Sequence, residues 1–337
     1  MTKAIRASKR RDLTPYRPLL IPMPTPAFFV HRIPVYGDLI LAPMDGYSDQ
    51  PFRSLCRALG SAMSYTEFIN ALDVIHGHPQ LAQKLAYLPE ERPVVFQIFD
   101  SEPERLLEAA LRLQEYQPDI IDVNLGCSVR SVSGRGAGAG LLREPEKVAR
   151  IFNILSHALE IPVTAKMRLG WDDNSRNYQV VARAIYENGG KLIAIHGRTR
   201  AQGYDGQADW DAIAQVKQDS PVPIIANGDV RSVTDIERIK AHTGCDGVMI
   251  GRAAVGNPWI FARLEREHIP PATLHATMRQ HLHAMMAYYG VEQGLRRFRK
   301  HAARYLSSLD LPPEIRRSFL TASQPQEFWQ TLESLSH

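Results

Sequence analysis

A cysteine at the end of a strand-like run is the first residue in this sequence that could do chemistry. Residues 120–125 alternate β-branched and polar side chains, and Cys127 follows at the entrance of a loop rich in glycine. A thiol in this position is usable as an acid or a nucleophile, because a strand fixes it and a ligand can reach it. Free cysteine is also among the most buried residue types. Position alone therefore leaves an inert core cysteine as an equal alternative.

The elements that must position this thiol are apolar runs of strand length. Eight such runs occur, at residues 39–44, 62–68, 94–99, 119–126, 163–169, 191–197, 222–228 and 246–251. Helical segments lie between them, and three helix starts are clear: Asp49 with Pro51, Ser101 with Glu104, and Ser232 with Asp235. Strands that alternate with helices predict an α/β fold, a (β/α)8 TIM barrel. An open doubly wound sheet is the alternative, but no G-x-G-x-x-G follows the first strand.

The composition limits the class of protein. The 337 residues are 44% hydrophobic and 23% charged, as in soluble globular proteins, and the net charge of +4 permits a polyanionic partner. The three cysteines, Cys56, Cys127 and Cys245, are too scattered for a disulfide framework or a metal cage. No apolar run reaches the roughly 20 residues of a membrane helix. We therefore expect a cytoplasmic protein without a metal or a membrane contact.

In a TIM barrel the carboxyl ends of the strands form one site. Here they place cationic, amide and thiol groups at a common mouth. Any one such residue is usually a solvated rim charge or a structural histidine, but their repetition on most strands indicates a binding site. The residues are Pro43, Met44, Asp45, Gln97, Asn124, Cys127, Lys166, Arg168, His196, Arg198, Asn227, Gly228, Asp229, Gly251 and Arg252.

The last two strand ends suggest which ligand this mouth takes. The sequences NGDV (227–230) and GRAAVG (251–256) offer small residues, free backbone N–H groups and an arginine, which is how barrels commonly hold a phosphate. A phosphate-binding site beside amide, lysine and histidine side chains indicates flavin mononucleotide (FMN) as the ligand. Gln97 would meet the hydrogen-bonding edge of the flavin ring, and Lys166 would place a cation where reduction leaves negative charge.

At this point the motifs resemble those of the tRNA-dihydrouridine synthases. The runs APMDGYSDQPFR, DVNLGCS, GAGAGLL, KMRLGWDD, HGRTRAQGYDG, IANGDV and GVMIGRAAVGNPWIF occur in order over residues 38–310. The resemblance implies an FMN enzyme that takes hydride from NADPH and reduces the C5=C6 bond of selected uridines in tRNA. In that family the cysteine that matches Cys127 donates the proton to C5. An ordinary thiol, with a pKa of about 8.5, is protonated at neutral pH and suits that role.

The resemblance also assigns roles to the other residues at the mouth. Asn124 and Arg168 match positions near the substrate base, and Arg198 lies where RNA could be contacted at the rim. Ser128 stands where the family usually has proline after the cysteine. The positions that match flavin contacts are Pro43, Met44, Asp45, Gln97, Lys166, His196, Asn227, Gly228, Asp229, Gly251 and Arg252.

Two further segments flank the predicted barrel domain, residues 37–266. Residues 1–36 are basic and rich in proline, which predicts an extended arm without continuous helix or sheet. Residues 267–337 are helical in pattern and predict a small all-α domain. There Leu295, Phe298, Ala302, Tyr305 and Leu309 form one apolar stripe, while Arg297, Lys300 and Arg304 project from the other side and suit RNA phosphates. We expect a monomer.

Two other functions remain open from the sequence. The first is a barrel flavoenzyme that reduces a free pyrimidine or another small enone, for which the basic helix would be incidental. The second is a relative that binds RNA but no longer reduces it. Ser128, which replaces the usual proline after the cysteine, is the reason to consider it. Turnover of free uracil would support the first, and NADPH oxidation by a yellow protein would count against the second.

Overall fold

Parallel strands close into a barrel at the centre of the protein. The structure is a computed structural model and describes residues 25–307 and 309–334. The strands in this part of the chain are β1 (Phe28–Val30), β2 (Ile33–Val35), β3 (Leu39–Leu41), β4 (Ser64–Tyr65), β5 (Ile69–Asn70), β6 (Val94–Phe99), β7 (Ile120–Leu125), β8 (Val163–Arg168), β9 (Ile193–His196), β10 (Ile224–Asn227) and β11 (Gly247–Ile250).

The pairing of the strands confirms the predicted TIM barrel. Strands β6 to β11 pair in sequence, β11 pairs with β3, β3 pairs with β4, and β4 returns to β6. Every pairing in this sheet is parallel, and the short β5 extends the second position of the barrel beside β6. The circle is closed, so the doubly wound open sheet is excluded.

The side chains of the barrel strands divide into two layers because successive residues of a strand point to opposite faces. In β7, Ile121, Val123 and Leu125 belong to the large core between strands and helices. The Ile120 side chain points to the opposite face of the strand and belongs to the core inside the barrel. The residues in register with Ile120 further along β7 are Asp122 and Asn124, so the barrel interior changes from apolar to polar toward the carboxyl ends.

The helices cover the barrel and then form a separate layer at one side. They are α1 (Gln50–Ala58), α2 (Ala71–Ile75), α3 (Leu81–Leu85), α4 (Pro103–Gln114), α5 (Arg130–Ser133), α6 (Pro145–Ala158), α7 (Tyr178–Glu187), α8 (Trp210–Asp219), α9 (Val233–Thr243), α10 (Pro271–Tyr289), α11 (Val291–Tyr305), α12 (Pro313–Thr321) and α13 (Pro325–Ser334). Short 3-10 turns join several of them, including Gly138–Arg143 and Arg252–Ala254.

The predicted helix starts are correct in two cases and wrong in one. The Asp49 carboxylate accepts the Phe52 N–H at 3.2 Å, and Ser232 forms a capping box with Asp235. Ser101 caps nothing, because α4 begins at Pro103 and Glu102 takes the cap position. The nearby Asp100 carboxylate, which is paired with Arg105, accepts the Ser101 and Glu102 N–H groups instead.

The prediction of an extended arm over residues 1–36 is wrong for residues 28–35. β1 and β2 form an antiparallel hairpin, and its Val30 and Val35 are fully buried against interior barrel residues such as Ile40 and Met249. Pro34 is tolerated because this two-stranded hairpin leaves edges on which its missing N–H costs no ladder bond. Residues 1–24, which include the basic part of the predicted arm, lie outside the described residues.

The last four helices have a core of their own. Leu295, Phe298, Ala302 and Tyr305 of α11 are buried in that core, as the sequence stripe predicts. The helix ends at Tyr305, so Leu309, the last residue of the predicted stripe, packs from the following turn. Helix α10 lies against α1, where His281 stacks on Phe52 with ring centroids 5.5 Å apart. The helical layer is therefore joined to the barrel beside its first strand.

Candidate active site

A cavity of about 970 Å³ opens at the carboxyl ends of the barrel strands. Most of the residues predicted from the sequence line it: Pro43, Met44, Asp45, Gln97, Asn124, Cys127, Lys166, Arg168, His196, Asn227, Gly228, Asp229, Gly251, Arg252 and Arg304. Arg198, Arg297 and Lys300 are absent from this lining. The barrel thus brings together groups that are up to 261 positions apart in sequence, from Pro43 to Arg304.

A buried chain of hydrogen bonds fixes the floor of the cavity. Gln97 donates from Nε2 to Asp122 at 2.8 Å, so its Oε1 is free to accept the Asn124 amide, also at 2.8 Å. Asn124 Oδ1 then accepts the backbone N–H of Cys127 at 2.9 Å and that of Gly126 at 3.0 Å. The orientation of each amide side chain follows from its neighbour. Asn124 therefore holds the backbone of the cysteine rather than pointing freely at a ligand.

Asp122 supports the floor of the cavity, and the sequence reasoning missed it. It is fully buried inside the barrel and accepts hydrogen bonds from Gln97 and from Thr164 Oγ1, the latter at 2.6 Å. Burial raises its pKa to about 6, although these hydrogen bonds and Lys166 oppose the rise. The signal was present in the run DIIDVN, where a carboxylate occupies an inward position of an otherwise buried strand.

Lys166 lies at the same depth and is held by Asn227. Its Nζ donates to Asn227 Oδ1 at 3.2 Å, and the Asn227 amide group donates to the Met249 carbonyl at 2.7 Å. Burial lowers the pKa of Lys166 to about 8, with Arg168 acting in the same direction and Asp122 against it. The ammonium group is thus charged at neutral pH but loses its proton just above it.

Cys127 lies half-buried on the cavity wall. Burial raises its pKa above the ordinary value, so the thiol keeps its proton at neutral pH. Gly138 packs directly behind it in a left-handed conformation with φ +55°, and an added Cβ would lie 3.0 Å from Cys127 Cβ. Cys56 and Cys245 are buried elsewhere in the large core. Of the three thiols, only that of Cys127 faces the cavity.

The loop after the cysteine folds back through α5 and the 3-10 turn Gly138–Arg143. Ser133 Oγ donates to the carbonyls of Ser128 at 3.3 Å and Val129 at 3.1 Å, and it also receives a bond from Arg200. The Ser128 carbonyl therefore helps to hold this turn by accepting the Ser133 hydroxyl. The backbone N–H of Ser128 donates no hydrogen bond within the described part of the chain.

This geometry predicts that Ser128→Pro is tolerated. Proline removes only an N–H group that has no partner here and leaves the carbonyl that Ser133 uses. We expect a free energy of unfolding within about 0.5 kcal/mol of the parent, since substitutions that break no contact usually stay in this range. Ser133→Pro, which removes the N–H that donates to the Val129 carbonyl, is the matched control and should be clearly destabilised. A large loss of stability in Ser128→Pro would mean that the loop follows another path.

Positive charge and one aromatic ring surround the outer part of the cavity. Tyr204 lies with the Arg252 guanidinium 3.9 Å and the Arg168 guanidinium 5.7 Å from its ring centre. Arg168 is anchored by the carbonyls of Gly126, Thr199 and Gly203. The Tyr204 side chain itself is 57% exposed. The sequence reasoning did not single out Tyr204, although it follows the ninth strand within the motif HGRTRAQGYDG.

His196 is buried between these cations and is neutral. Burial lowers its pKa well below the ordinary value, and Arg168 and Lys166 lower it further. Its Nδ1 is buried without a hydrogen-bond partner among the described residues. An unsatisfied buried nitrogen costs free energy in the free protein, so it is a natural place for a polar ligand atom.

The structure corrects the prediction that Arg198 meets RNA at the rim. Its side chain is 1% exposed, and Nη2 donates to the Asp229 carboxylate at 2.7 and 2.8 Å. Arg198 also donates to the carbonyls of Asp205 and Gly206. Arg198 therefore ties the loop after β9 to the loop after β10. The carboxylate of Asp229 is occupied by this pairing, so only its backbone is open to a ligand.

Gly228 shows why that loop can hold an anion. Its φ is +122°, and an added Cβ would lie 2.8 Å from Ala208 Cβ, so only glycine fits. Asp229 follows with φ +57°, a left-handed conformation that Asp adopts more readily than most residues. Gly228 and Asp229 are thus two successive residues with positive φ in the turn after β10.

The basic face predicted on α11 divides into three environments. Arg304 is exposed and lines the cavity. Arg297 lies over the Tyr289 ring at 4.5 Å, and Lys300 lies over the Tyr47 ring at 4.6 Å. The side chains of Arg297 and Lys300 are thus directed at the protein rather than fully at solvent. No group of three metal-ligating side chains and no helix able to span a membrane is found in residues 25–307 and 309–334.

Fold and site together define the class of this protein: it is a (β/α)8-barrel protein with a polar, cationic mouth. Residues 40–337 match the family model described as "Dihydrouridine synthase (Dus)", and the chain belongs to that family. It is 39% identical over 289 residues to tRNA-dihydrouridine synthase B of Pseudomonas aeruginosa, covering 83% of this chain and 87% of that protein. The corresponding protein of Xanthomonas axonopodis pv. citri is 39% identical over 275 residues, with coverage of 79% and 83%.

Among solved structures, histamine dehydrogenase from Rhizobium sp. 4-9 matches with a TM-score of 0.52 and 11% identity. The match covers 74% of this chain and 49% of that one, so the chain spans about half of the larger protein. At this identity the likeness concerns the fold alone. It agrees with the barrel, and the family membership confirms the resemblance that the sequence motifs indicated.

Proposed function

We propose that this protein reduces the C5=C6 bond of specific uridines in tRNA to 5,6-dihydrouridine, using FMN and NADPH, with Cys127 as proton donor to C5. The observation that supports the proposal most is the meeting of Cys127, Gln97, Lys166 and His196 in one barrel mouth of a chain from the dihydrouridine synthase family. The relatives from Pseudomonas and Xanthomonas are named for tRNA dihydrouridine synthesis.

The residues of the mouth fit a flavin nucleotide. The unpartnered His196 Nδ1 and the glycine-only turn at Gly228 are the two features that a bound polar ligand with a phosphate would use. Gln97, Lys166 and Asn227 would hold the ring, and the backbone of residues 227–229 with Gly251 and Arg252 would hold the phosphate. When bound, FMN would supply the hydride that it accepts from NADPH.

Cys127 would complete the reduction. The Cys127 thiol would give its proton to C5 of the substrate base, and the thiolate that remains would be reprotonated from water. The raised pKa of the thiol keeps the proton available before the reaction. Asn124 would fix the thiol's backbone, because its Oδ1 accepts the Cys127 N–H at 2.9 Å. General acid catalysis depends on such fixed geometry within hydrogen-bond reach.

The substrate base would enter beside Tyr204. A uridine in folded RNA must leave its stack, at a cost of a few kcal/mol. An exposed aromatic ring can offset this cost, since stacking of one base on such a ring contributes about 1–3 kcal/mol. Arg168 and Arg252, whose guanidinium groups lie 5.7 and 3.9 Å from the centre of the Tyr204 ring, would meet the polar edge or the phosphate of the extruded nucleotide. The helices α10 to α13 would form the tRNA-binding domain, with Arg304 at the cavity edge.

One experiment tests the function as a whole. Dihydrouridine is mapped by mass spectrometry in tRNA from cells with and without this protein, and again after return of the purified yellow protein with NADPH. Loss and restoration at the same uridines is the expected result. Unchanged tRNA together with turnover of free uracil would favour a small-enone reductase. A colourless protein that binds tRNA would favour a relative that has lost reduction.

Lys166→Met should weaken FMN binding and change its pH dependence. In the parent, the ammonium group loses its proton near pH 8, so FMN affinity should fall as the pH rises from 7 to 9. The variant has no charge to lose, so its affinity should be lower at pH 7, by roughly tenfold, and flat with pH. FMN dissociation constants from fluorescence titration measure both effects. Lys147→Met, which removes a surface lysine paired with Glu144, is the control. Equal pH profiles in parent and Lys166→Met would remove Lys166 from the flavin site.

A further inference from the structure

Helix α11 reaches the barrel mouth through two successive residues that contact Tyr47. Lys300 Nζ lies 4.6 Å from the centre of the Tyr47 ring, and the His301 ring meets it edge-on at 5.5 Å. Tyr47 belongs to the loop of residues 42–49, which follows β3 and lines the cavity with Pro43, Met44 and Asp45. The helical layer therefore touches the segment proposed to contact the flavin.

This loop is short and tightly bonded. The N–H groups of Tyr47 and Ser48 both donate to the Met44 carbonyl at 2.9 Å. The Met44 N–H in turn donates to Ser48 Oγ at 2.8 Å. Gly46 takes φ +76°, and an added Cβ there would lie 3.3 Å from Lys300 Nζ. The Lys300 ammonium group therefore packs against the turn at Gly46, the position that has no side chain of its own.

Two buried carboxylates lie at this loop, Asp49 at its end and Glu67 beside it. Glu67 accepts the Gly46 N–H, and Asp49 accepts the Phe52 N–H and the Tyr289 hydroxyl, the latter at 3.1 Å. Glu67 is 9% and Asp49 4% exposed. Burial and, to a smaller extent, the neighbouring Glu67 raise the pKa of Asp49 to about 6, and burial raises the pKa of Glu67. A nearby cation favours the charged form of such buried carboxylates.

Lys300 is the cation that the helical layer supplies. It lowers the pKa of both carboxylates, and they in turn partly offset the fall that burial causes in its own pKa. Lys84 acts on Glu67 from the barrel side, and Arg297 opposes the charge of Lys300 from one turn earlier. A lysine that is half-buried over an aromatic ring and beside two carboxylates is poorly placed to bind an RNA phosphate.

We propose that Lys300 is a positioning residue: through its contact with Tyr47 and its charge beside Asp49 and Glu67 it holds the loop of residues 42–49 in place, so that α11 forms one wall of the active site. This role replaces the RNA contact expected from the sequence, and it rests on the proposed function for its effect on catalysis. Lys300 would thereby join the helices that would bind tRNA to the loop that would bind flavin. Arg304, further along the helix, keeps its place at the cavity edge.

Hydrogen exchange of the protein without added cofactor tests the positioning directly. In Lys300→Met, the Gly46, Tyr47 and Ser48 amides should exchange roughly fivefold faster, the scale expected for loss of one partly buried countercharge. Arg296→Met, an exposed change on the same helix, should leave these amides unchanged. Lys300→Arg, which keeps the charge, should restore most of the protection. Unchanged exchange in Lys300→Met would overturn the proposal whether or not the protein binds flavin.

Glu67→Gln gives a second test, because the effect of Lys300→Met can then be compared in two backgrounds. If Lys300 acts by balancing the carboxylates, Lys300→Met should accelerate exchange less in the Glu67→Gln background than in the parent. Titrations of tRNA in increasing salt give the contrasting outcome. Lys300→Met should leave the slope of log K against log salt unchanged and should lower kcat for dihydrouridine formation while KM for tRNA stays constant. A slope reduced by roughly 0.7 to 0.9, with parental exchange, would return Lys300 to a phosphate contact.

Discussion

Cys127→Ala should lose most dihydrouridine formation while it still takes up FMN and is still reduced by NADPH. Removal of a positioned general acid typically costs about 10²–10⁴-fold in rate, because the proton must then come from water. The two half-reactions separate the roles, since flavin reduction by NADPH does not require the thiol. Stopped-flow absorbance of the flavin measures the first half, and mass spectrometry of modified tRNA measures the second.

The pH dependence and a second variant sharpen this test. Because burial raises the pKa of Cys127, the parent should lose activity on the alkaline side only above the ordinary thiol range. Cys127→Ser retains a hydroxyl that is a far weaker acid, so it should be nearly as slow as Cys127→Ala. Cys245→Ala, at a buried thiol outside the cavity, should modify tRNA at the parental rate. Near-parental modification by Cys127→Ala would show that another group supplies the proton.

The barrel could be predicted because its signals are local and repeated. Each strand shows a buried apolar run, and caps such as Asp49 and Ser232 punctuate the helices between them. The sequence predictions are wrong where contacts with other residues decide the local structure. The hairpin of residues 28–35 forms despite Pro34 because Val30 and Val35 find a place inside the end of the barrel. Ser101 is not the cap because α4 begins one residue later than predicted, at Pro103, while Asp100 accepts the N–H groups of Ser101 and Glu102.

The sequence predicts which residues lie at the site, but not which contacts their side chains make. The rule that barrel chemistry lies at the carboxyl ends of strands finds Gln97, Lys166 and His196 without a structure. It cannot distinguish a side chain that faces the cavity from one that faces a neighbour. Arg198 and Lys300 are the two cases, because each is directed by a residue that is distant in sequence: the Asp229 carboxylate for Arg198, and the Tyr47 ring for Lys300.

The placement of Arg198 leads to the second large effect. Arg198→Met should destabilise the protein by on the order of 3 kcal/mol, the lower end of the cost of breaking a buried ion pair, because Asp229 keeps some contact with water. It should also release the backbone of residues 227–229 and so weaken FMN binding. Arg198→Lys should rescue little, because an ammonium group cannot reach the Asp205 and Gly206 carbonyls and the carboxylate together. Urea unfolding and fluorescence titration of FMN measure the two effects.

The sign of the pH dependence follows from Asp229. Burial alone would raise its pKa, but hydrogen bonds from Arg198 and from the Ala208 N–H, with the Arg198 charge, hold it below the usual 3.8. A depressed carboxyl pKa stabilises the fold at pH above the unfolded value, and this stabilisation is lost as the pH falls through the folded value. The cost of Arg198→Met should therefore be full at pH 7 and should shrink below pH 4. Arg231→Met, at an exposed arginine 3.6 Å from Asp229, should cost no more than about 1 kcal/mol. A parental unfolding free energy in Arg198→Met, together with a shallower salt dependence of tRNA binding, would instead support the RNA contact that the sequence first indicated.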